Sequence, residues 1–197
     1  MTYAYYIIYK PFGVLSQFSP SDGKMVLKDF FDVPVDVYPV GRLDADSEGL
    51  LILTNDKALN HLLLDPSRNH EREYFVQVEG QITQEALDQL QSGVTIRVND
   101  KNWTTQKCVA SLLIKPPKLP ERIPPIRVRK TIPDSWISMV LQEGKNRQVR
   151  KMTAAVGFPT LRLVRYRIER INIDNLRSGE MYMLGGKELY NLLKIKK

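Results

Sequence analysis

The hydrophobic positions of this chain fall in short runs rather than in one long periodic stretch. Tyr5-Tyr6-Ile7-Ile8-Tyr9 is unbroken apolar and aromatic sequence closed by Pro11 and Gly13, which predicts a buried strand. Residues 50–54 repeat that pattern, and Asn55-Asp56 then caps a helix carried by Leu59, Leu62 and Leu63 that ends before Pro66. Residues 26–31 suggest a short helix. Tyr74-Phe75-Val76-Gln77-Val78-Glu79-Gly80 reads as a strand ending in a turn. Residues 83–91 set Ala86, Leu87 and Leu90 at helical spacing, with Gly93 as the stop. Residues 94–98, 108–114 and 135–141 predict further strands. Residues 144–157 predict a helix with Val149, Met152 and Val156 on its apolar face, which groups Arg147, Arg150 and Lys151 on the other. Residues 160–171 alternate Leu161, Leu163 and Ile168 with Arg162, Arg165, Arg167 and Arg170.

Strands and helices interleave without a regular strand–helix–strand rhythm. The expected class is α+β, with a mixed, largely antiparallel sheet flanked by helices. A chain of 197 residues buries one sizeable core. We expect a single domain over residues 1–197, in two lobes with a boundary near residues 65–75. The apolar start stops at Lys10-Pro11, too short for a membrane span and without the basic start of a secretion signal. The single cysteine, Cys108, allows no internal disulfide, and no Cys/His cluster suits zinc. A cytoplasmic monomer, with no membrane association and no obligatory protein partner, is the expectation.

Charge changes this picture. The net charge of +7 hides a split: residues 1–100 carry 8 Lys/Arg against 15 Asp/Glu, and residues 101–197 carry 21 against 7. Such asymmetry suggests a surface for a polyanion, although a solvated basic face on an ordinary protein would look the same. Five prolines lie between Lys115 and Ile132, interleaved with Arg122, Arg127, Arg129 and Lys130, as in an irregular basic loop.

Three residues stand out as candidates for chemistry. Asp44 lies in a polar, Gly-bounded loop leading into a buried strand, a placement that holds a side chain at a sheet edge. An aspartate in a loop is more often a turn former or a cap. Asp46 and Glu48 are near it, and Asp44 and Asp46 would share a face if the loop were extended, as a metal site or glycosidase pair would need. Tyr74 follows a charged loop; such an aromatic is usually core, but at a cleft mouth its ring would stack on a base. Arg150 lies on a helix, where basic residues are usually solvated.

Together these segments resemble the RsuA-type pseudouridine synthases. Gly41-Arg42-Leu43-Asp44-Ala45-Asp46-Ser47-Glu48-Gly49 followed by Leu50-Leu51-Ile52-Leu53-Thr54-Asn55-Asp56 is close to the family's central motif. The departures are Ser47 where Thr is commoner and Lys57 where Gly often follows. Lys10-Pro11-Phe12-Gly13-Val14-Leu15-Ser16 resembles the opening motif, Arg72-Glu73-Tyr74 the tyrosine motif, and Glu143 to Met152 the basic helix-opening motif, with Arg147 where many relatives have His. Leu163 and Arg165 fall in a Leu-x-Arg strand, and residues 176–184 resemble the closing segment. Many relatives open with a small S4-like RNA-binding domain, whereas this chain opens on the catalytic strand. With residues 156–163, that looks most like the RluE branch, which modifies a uridine of large-subunit (23S) ribosomal RNA.

The resemblance implies the pseudouridine synthase fold, two lobes around a central cleft, and isomerisation of uridine to pseudouridine in ribosomal RNA. That reaction has no net redox change, hydrolysis or energy input, so no cofactor and no metal is expected. Asp44 is implied as the catalytic carboxylate, with Arg150 favouring its ionised form by charge pairing. Tyr74, Arg150, Arg42 and Leu163 are implied to bind the substrate nucleotide, and Lys145, Arg147, Lys151 and Arg165 the rest of the RNA. A non-catalytic RNA-binding assembly factor would also explain the charge split, but not an acid in so well preserved a motif. A carboxylate hydrolase using Asp44 and Asp46 is a third reading.

Overall fold

The apolar run at the start of the chain forms β1 (Tyr5–Lys10), in which all six residues are buried. The structure is a computed structural model and describes residues 3–126 and 132–195. Arg127, Arg129 and Lys130 of the expected basic loop, and the last two residues, Lys196 and Lys197, lie outside the described residues. The chain divides into two compact units, the first running to His70 and resuming at Arg165, the second spanning Glu71–Val164. The fold is α+β.

In the first unit, β2 (Tyr38–Pro39) and β3 (Glu48–Thr54) follow β1, and α1 (Lys57–Leu64) closes the segment. A one-turn 3-10 helix at Leu27–Asp29 replaces the short helix expected at 26–31. β1 and β3 pair antiparallel, Tyr6 opposite Leu53 and Ile8 opposite Leu51. These four join Val14, Leu27, Phe31 and Val37 in one core cluster. The opposite face is buried too, through Tyr5, Ile7, Tyr9, Leu50 and Ile52. Both strands therefore read as continuous apolar runs, and each such side chain contributes roughly 1.5–3 kcal/mol on burial.

Thr54-Asn55-Asp56 fastens the end of β3. The Thr54 hydroxyl donates to the Ala4 carbonyl (2.6 Å), and Asn55 Oδ1 accepts from the Ala4 amide (2.9 Å). Asp56 Oδ1 caps α1 by accepting from Ala58 and Leu59.

In the second unit, β4 (Arg72–Glu79), α2 (Gln84–Ser92), β5 (Thr95–Val98), β6 (Lys101–Thr104), β7 (Val109–Leu113), β8 (Asp134–Leu141) and α3 (Gln148–Ala155) follow in order. β8 pairs antiparallel with β4 and β7, while β5 and β6 form a separate hairpin. The β6 strand was not expected, because all four of its residues are exposed and leave no hydrophobic pattern. The core gathers Val76, Val78, Leu87, Leu90, Ile137, Met139, Val149 and Met152. The expected inward face of α2 is observed, with Thr83 as its cap.

β9 (Thr160–Ile168) begins in the second unit and ends in the first, where β10 (Ile171–Asn172), β11 (Met181–Met183) and α4 (Gly186–Leu192) complete the chain. Residues 179–184 line β1: the Gly179 amide donates to Tyr9, the Tyr9 amide to Glu180 and the Leu184 amide to Tyr5. Tyr190 of α4 meets Tyr5 edge-on, and both hydroxyls donate to Asp56 Oδ2, at 2.7 and 2.8 Å. Among the described residues no helix is long and apolar enough to cross a membrane.

Candidate active site

The loop that carries Asp44 is held by its backbone. The Ser16 hydroxyl donates to the Leu43 carbonyl (2.7 Å) and accepts from the Leu43 amide (3.0 Å). On the other side of Asp44, the Ala45 carbonyl accepts from the Gly13 amide at 2.7 Å. The Ser47 amide donates to the Asp44 carbonyl at 3.0 Å, closing a turn. The extended loop that would set Asp44 and Asp46 on one face is therefore not formed. Leu43 is buried while Asp44 keeps part of its surface. The segment 10–16 supplies the grip, which explains physically why the opening motif and the Asp44 motif occur together.

Gly49 lets β3 start where it does. It has φ +103°, and a Cβ there would lie 2.3 Å from the Arg165 carbonyl oxygen. Only glycine permits that approach.

Two cations are buried in this unit near the acidic loop. Lys10 is completely buried, and its Nζ donates to the carbonyls of Pro11 (2.9 Å) and Val14 (2.7 Å). Burial pushes its ammonium down to about 7; Glu48, Asp46 and Asp44 act in the opposite direction and Arg165 in the same one. Arg165 is 5% exposed, and its Nε donates to the Leu50 carbonyl at 2.8 Å. Of the arginines that alternate with apolar residues along this strand, Arg165 and Arg162 are buried, Arg162 donating to the Pro120 carbonyl at 2.8 Å. Each gives a charged donor to a backbone carbonyl. Arg42 is exposed beside the loop. Lys10 had no assigned role in the sequence; the available signal was a charged residue ending an otherwise apolar strand before Pro11.

The remaining expected residues lie in the second unit. Tyr74 is half-buried on β4 opposite Met139 and packs on the core cluster that includes Leu163 of β9. Arg150 is half-buried on α3, where its Nη1 donates to the Thr160 carbonyl (3.4 Å). The helix starts at Gln148, not at 144, which corrects the expected grouping of basic residues. Arg147 is its N-cap, in the left-handed region at φ 53°, so it is not on a helical face with Arg150 and Lys151. The cause is the buried Gln148 side chain, whose Oε1 takes the Lys145 amide (2.8 Å) and whose Nε2 donates to Glu143 (2.6 Å). Residues 144–147 are thereby held as a turn. Among the described residues no group of three or more His, Cys, Asp or Glu is placed to hold a metal ion.

Residues 4–155 match the RNA pseudouridylate synthase family. The chain is 50% identical over 172 residues, 86% of its length and 88% of the relative's, to Ribosomal large subunit pseudouridine synthase E of Xanthomonas axonopodis pv. citri (strain 306). It is 32% identical over 189 residues, 95% of its length and 70% of the relative's, to Ribosomal large subunit pseudouridine synthase B of Bacillus subtilis (strain 168). A crystal structure of a pseudouridylate synthase has the same fold, with a TM-score of 0.78 at 24% identity over 97% of this chain and 74% of that one. A pinned aspartate loop, a tyrosine strand and a basic turn thus occur in a chain matched across most of its length, and the chain belongs to the RNA pseudouridylate synthase family of enzymes.

Proposed function

We propose that this enzyme isomerises one uridine of large-subunit (23S) ribosomal RNA to pseudouridine, with Asp44 as the catalytic carboxylate. The observation that carries the reading is the grip on residues 43–47, which fixes the backbone on both sides of Asp44 while its side chain remains partly exposed. The names of the relatives support ribosomal RNA as the substrate.

The reaction breaks the bond from ribose C1′ to uracil N1 and forms one from C1′ to C5; the proton on C5 leaves to solvent and N1 takes one up, so atoms and charge balance. The target base leaves the stack, since that bond is hidden in a paired helix. Asp44, ionised, attacks C1′, attacks the uracil ring or removes a ribose proton; each route needs a carboxylate in a fixed position. Arg165 holds positive charge against the strand that follows its loop. Tyr74 stacks on the extruded uracil, Leu163 lines it, and Arg42 and Arg150 bind the nucleotide. Lys145, Arg147 and Lys151 take phosphates. Arg165, being buried, serves the Asp44 loop in this reading and not the phosphates. The chain acts as a single catalytic domain, in the cytoplasm, as a monomer and without a cofactor.

The experiment is tritium release from large-subunit RNA labelled at uracil C5, with wild type and Asp44→Asn side by side. Release by wild type alone is expected, with RNA binding retained by the variant. Substantial turnover by Asp44→Asn would overturn the assignment of Asp44. No release by either, with tight binding by both, would favour a binding protein.

A further inference from the structure

An aromatic ring stands open where the second unit has no core for it. Trp103 lies in β6, a strand exposed at all four positions, and is itself 39% exposed. Its Nε1 donates to Glu143 Oε2 at 3.3 Å. Glu143 Oε1 also accepts from the Gln106 amide (2.8 Å) and from Gln148 Nε2 (2.6 Å). Glu143 therefore ties the hairpin, through Trp103 and Gln106, to the buried side chain that shapes the turn 144–147. Lys145 from that turn sets its Nζ 3.9 Å from the centroid of the Trp103 ring.

Packing alone does not account for this arrangement. Trp103 is opposite Ile96, which is buried, and any apolar side chain there would cover it. A fixed indole plane faced by an ammonium is more than a cover. Lys101 is two residues away on the same strand, so it shares the face of Trp103, and Lys107 and Arg147 are exposed in the adjoining segments. Glu143, the acid at this site, is engaged in three hydrogen bonds. Open ring, fixed plane and surplus positive charge are what unpaired nucleic acid recognises: bases stack on the ring and phosphates meet the lysines.

We propose that Trp103 and Lys145 form a stacking platform for an unpaired RNA base other than the reacting uridine, a specificity element within the ribosomal RNA reading given above, on which it rests. The base takes the ring face that the Lys145 ammonium covers in the free protein, and the released ammonium moves to a phosphate. The exchange replaces a cation–π contact by a stacked base and a charge pair.

The chain has two tryptophans, Trp103 and Trp136, so Trp136→Phe leaves Trp103 as the sole indole reporter. Adding a large-subunit RNA transcript is expected to quench its emission. In the otherwise unchanged protein, Trp103→Leu keeps the cover over Ile96 and loses the ring; we expect RNA binding about tenfold weaker, with kcat at saturating RNA unchanged. Trp103→Phe is expected to retain most of the affinity. Circular dichroism and Tm confirm folding of each variant. Unaltered Trp103 emission, or equal RNA affinity of wild type and the folded Leu variant, would overturn the platform. Tritium release is read on the same proteins: turnover without quenching sinks the platform alone, and quenching without turnover leaves the platform standing while the isomerase reading falls.

Discussion

The hydroxyl of Ser16 holds both the amide and the carbonyl of Leu43, residues 27 positions apart in the chain. One small side chain thus satisfies two backbone groups immediately before Asp44. Both residues are buried, Ser16 at 7% and Leu43 at 8% exposure, so these backbone groups depend on protein partners.

Ser16→Ala removes that grip without adding bulk. Leaving buried backbone groups without this partner costs about 1–3 kcal/mol, which lowers Tm by about 2–4 °C per kcal/mol in a chain of this length. Because the loop also loses its fixed position, kcat is expected to fall about tenfold or more while the RNA Kd stays within twofold. Calorimetry and single-turnover tritium release check the two effects. A lower Tm with unchanged kcat would mean that Ser16 stabilises the fold without positioning Asp44.

Gly49 and Gly157 offer a matched pair. Both have positive φ, +103° and +88°, but a Cβ at Gly49 meets the Arg165 backbone at 2.3 Å whereas one at Gly157 meets nothing within 4 Å. Gly157→Ala is expected to carry only conformational strain, about 1–2 kcal/mol. Gly49→Ala adds a clash with a backbone that cannot swing aside, about 3 kcal/mol or more in all. Denaturant midpoints of the two variants should separate clearly; equal shifts would show that β3 and Arg165 tolerate displacement.

Tyr74 separates ring from hydroxyl. If stacking on uracil dominates, Tyr74→Phe keeps a substantial fraction of wild-type kcat, whereas Tyr74→Leu loses at least about tenfold. Equal losses in the two variants would assign the work to the hydroxyl, as a proton carrier.

The parts of this molecule that sequence made legible are those with a strong local pattern. β1 and β3 were visible because both their faces are buried, and α2 because Ala86, Leu87 and Leu90 share one face. Asp44 became visible through its motif, not through chemistry, since a loop aspartate alone reads as a turn former. β6 left no trace because nothing in it is buried, yet Asn99-Asp100, both at positive φ, carried a hairpin signal. The start of α3 was misplaced because Gln148 uses its side chain to hold the preceding turn, and no propensity registers that. The return of residues 179–184 to β1, and the burial of Lys10 and Arg165, depend on partners far along the chain.

Lys10 gives the pH prediction. Its two donations, to the Pro11 and Val14 carbonyls, use two hydrogens, and a neutral amine still has two to give. Burial lowers the folded-state value to about 7, whereas an unfolded lysine keeps its proton to about 10.4. Between roughly pH 7 and pH 10 the unfolded chain therefore binds more protons than the folded one, and this residue's contribution to stability rises with pH. Below about pH 7 both states are protonated and the contribution is flat. Lys10→Met keeps the length and removes both the titration and the donor to two carbonyls. Groups common to both proteins cancel in the difference, so the urea midpoint of the wild type should rise relative to that of the variant from about pH 7 to about pH 10. A constant gap would mean that Lys10 stays charged in the folded protein, held by Glu48, Asp46 and Asp44.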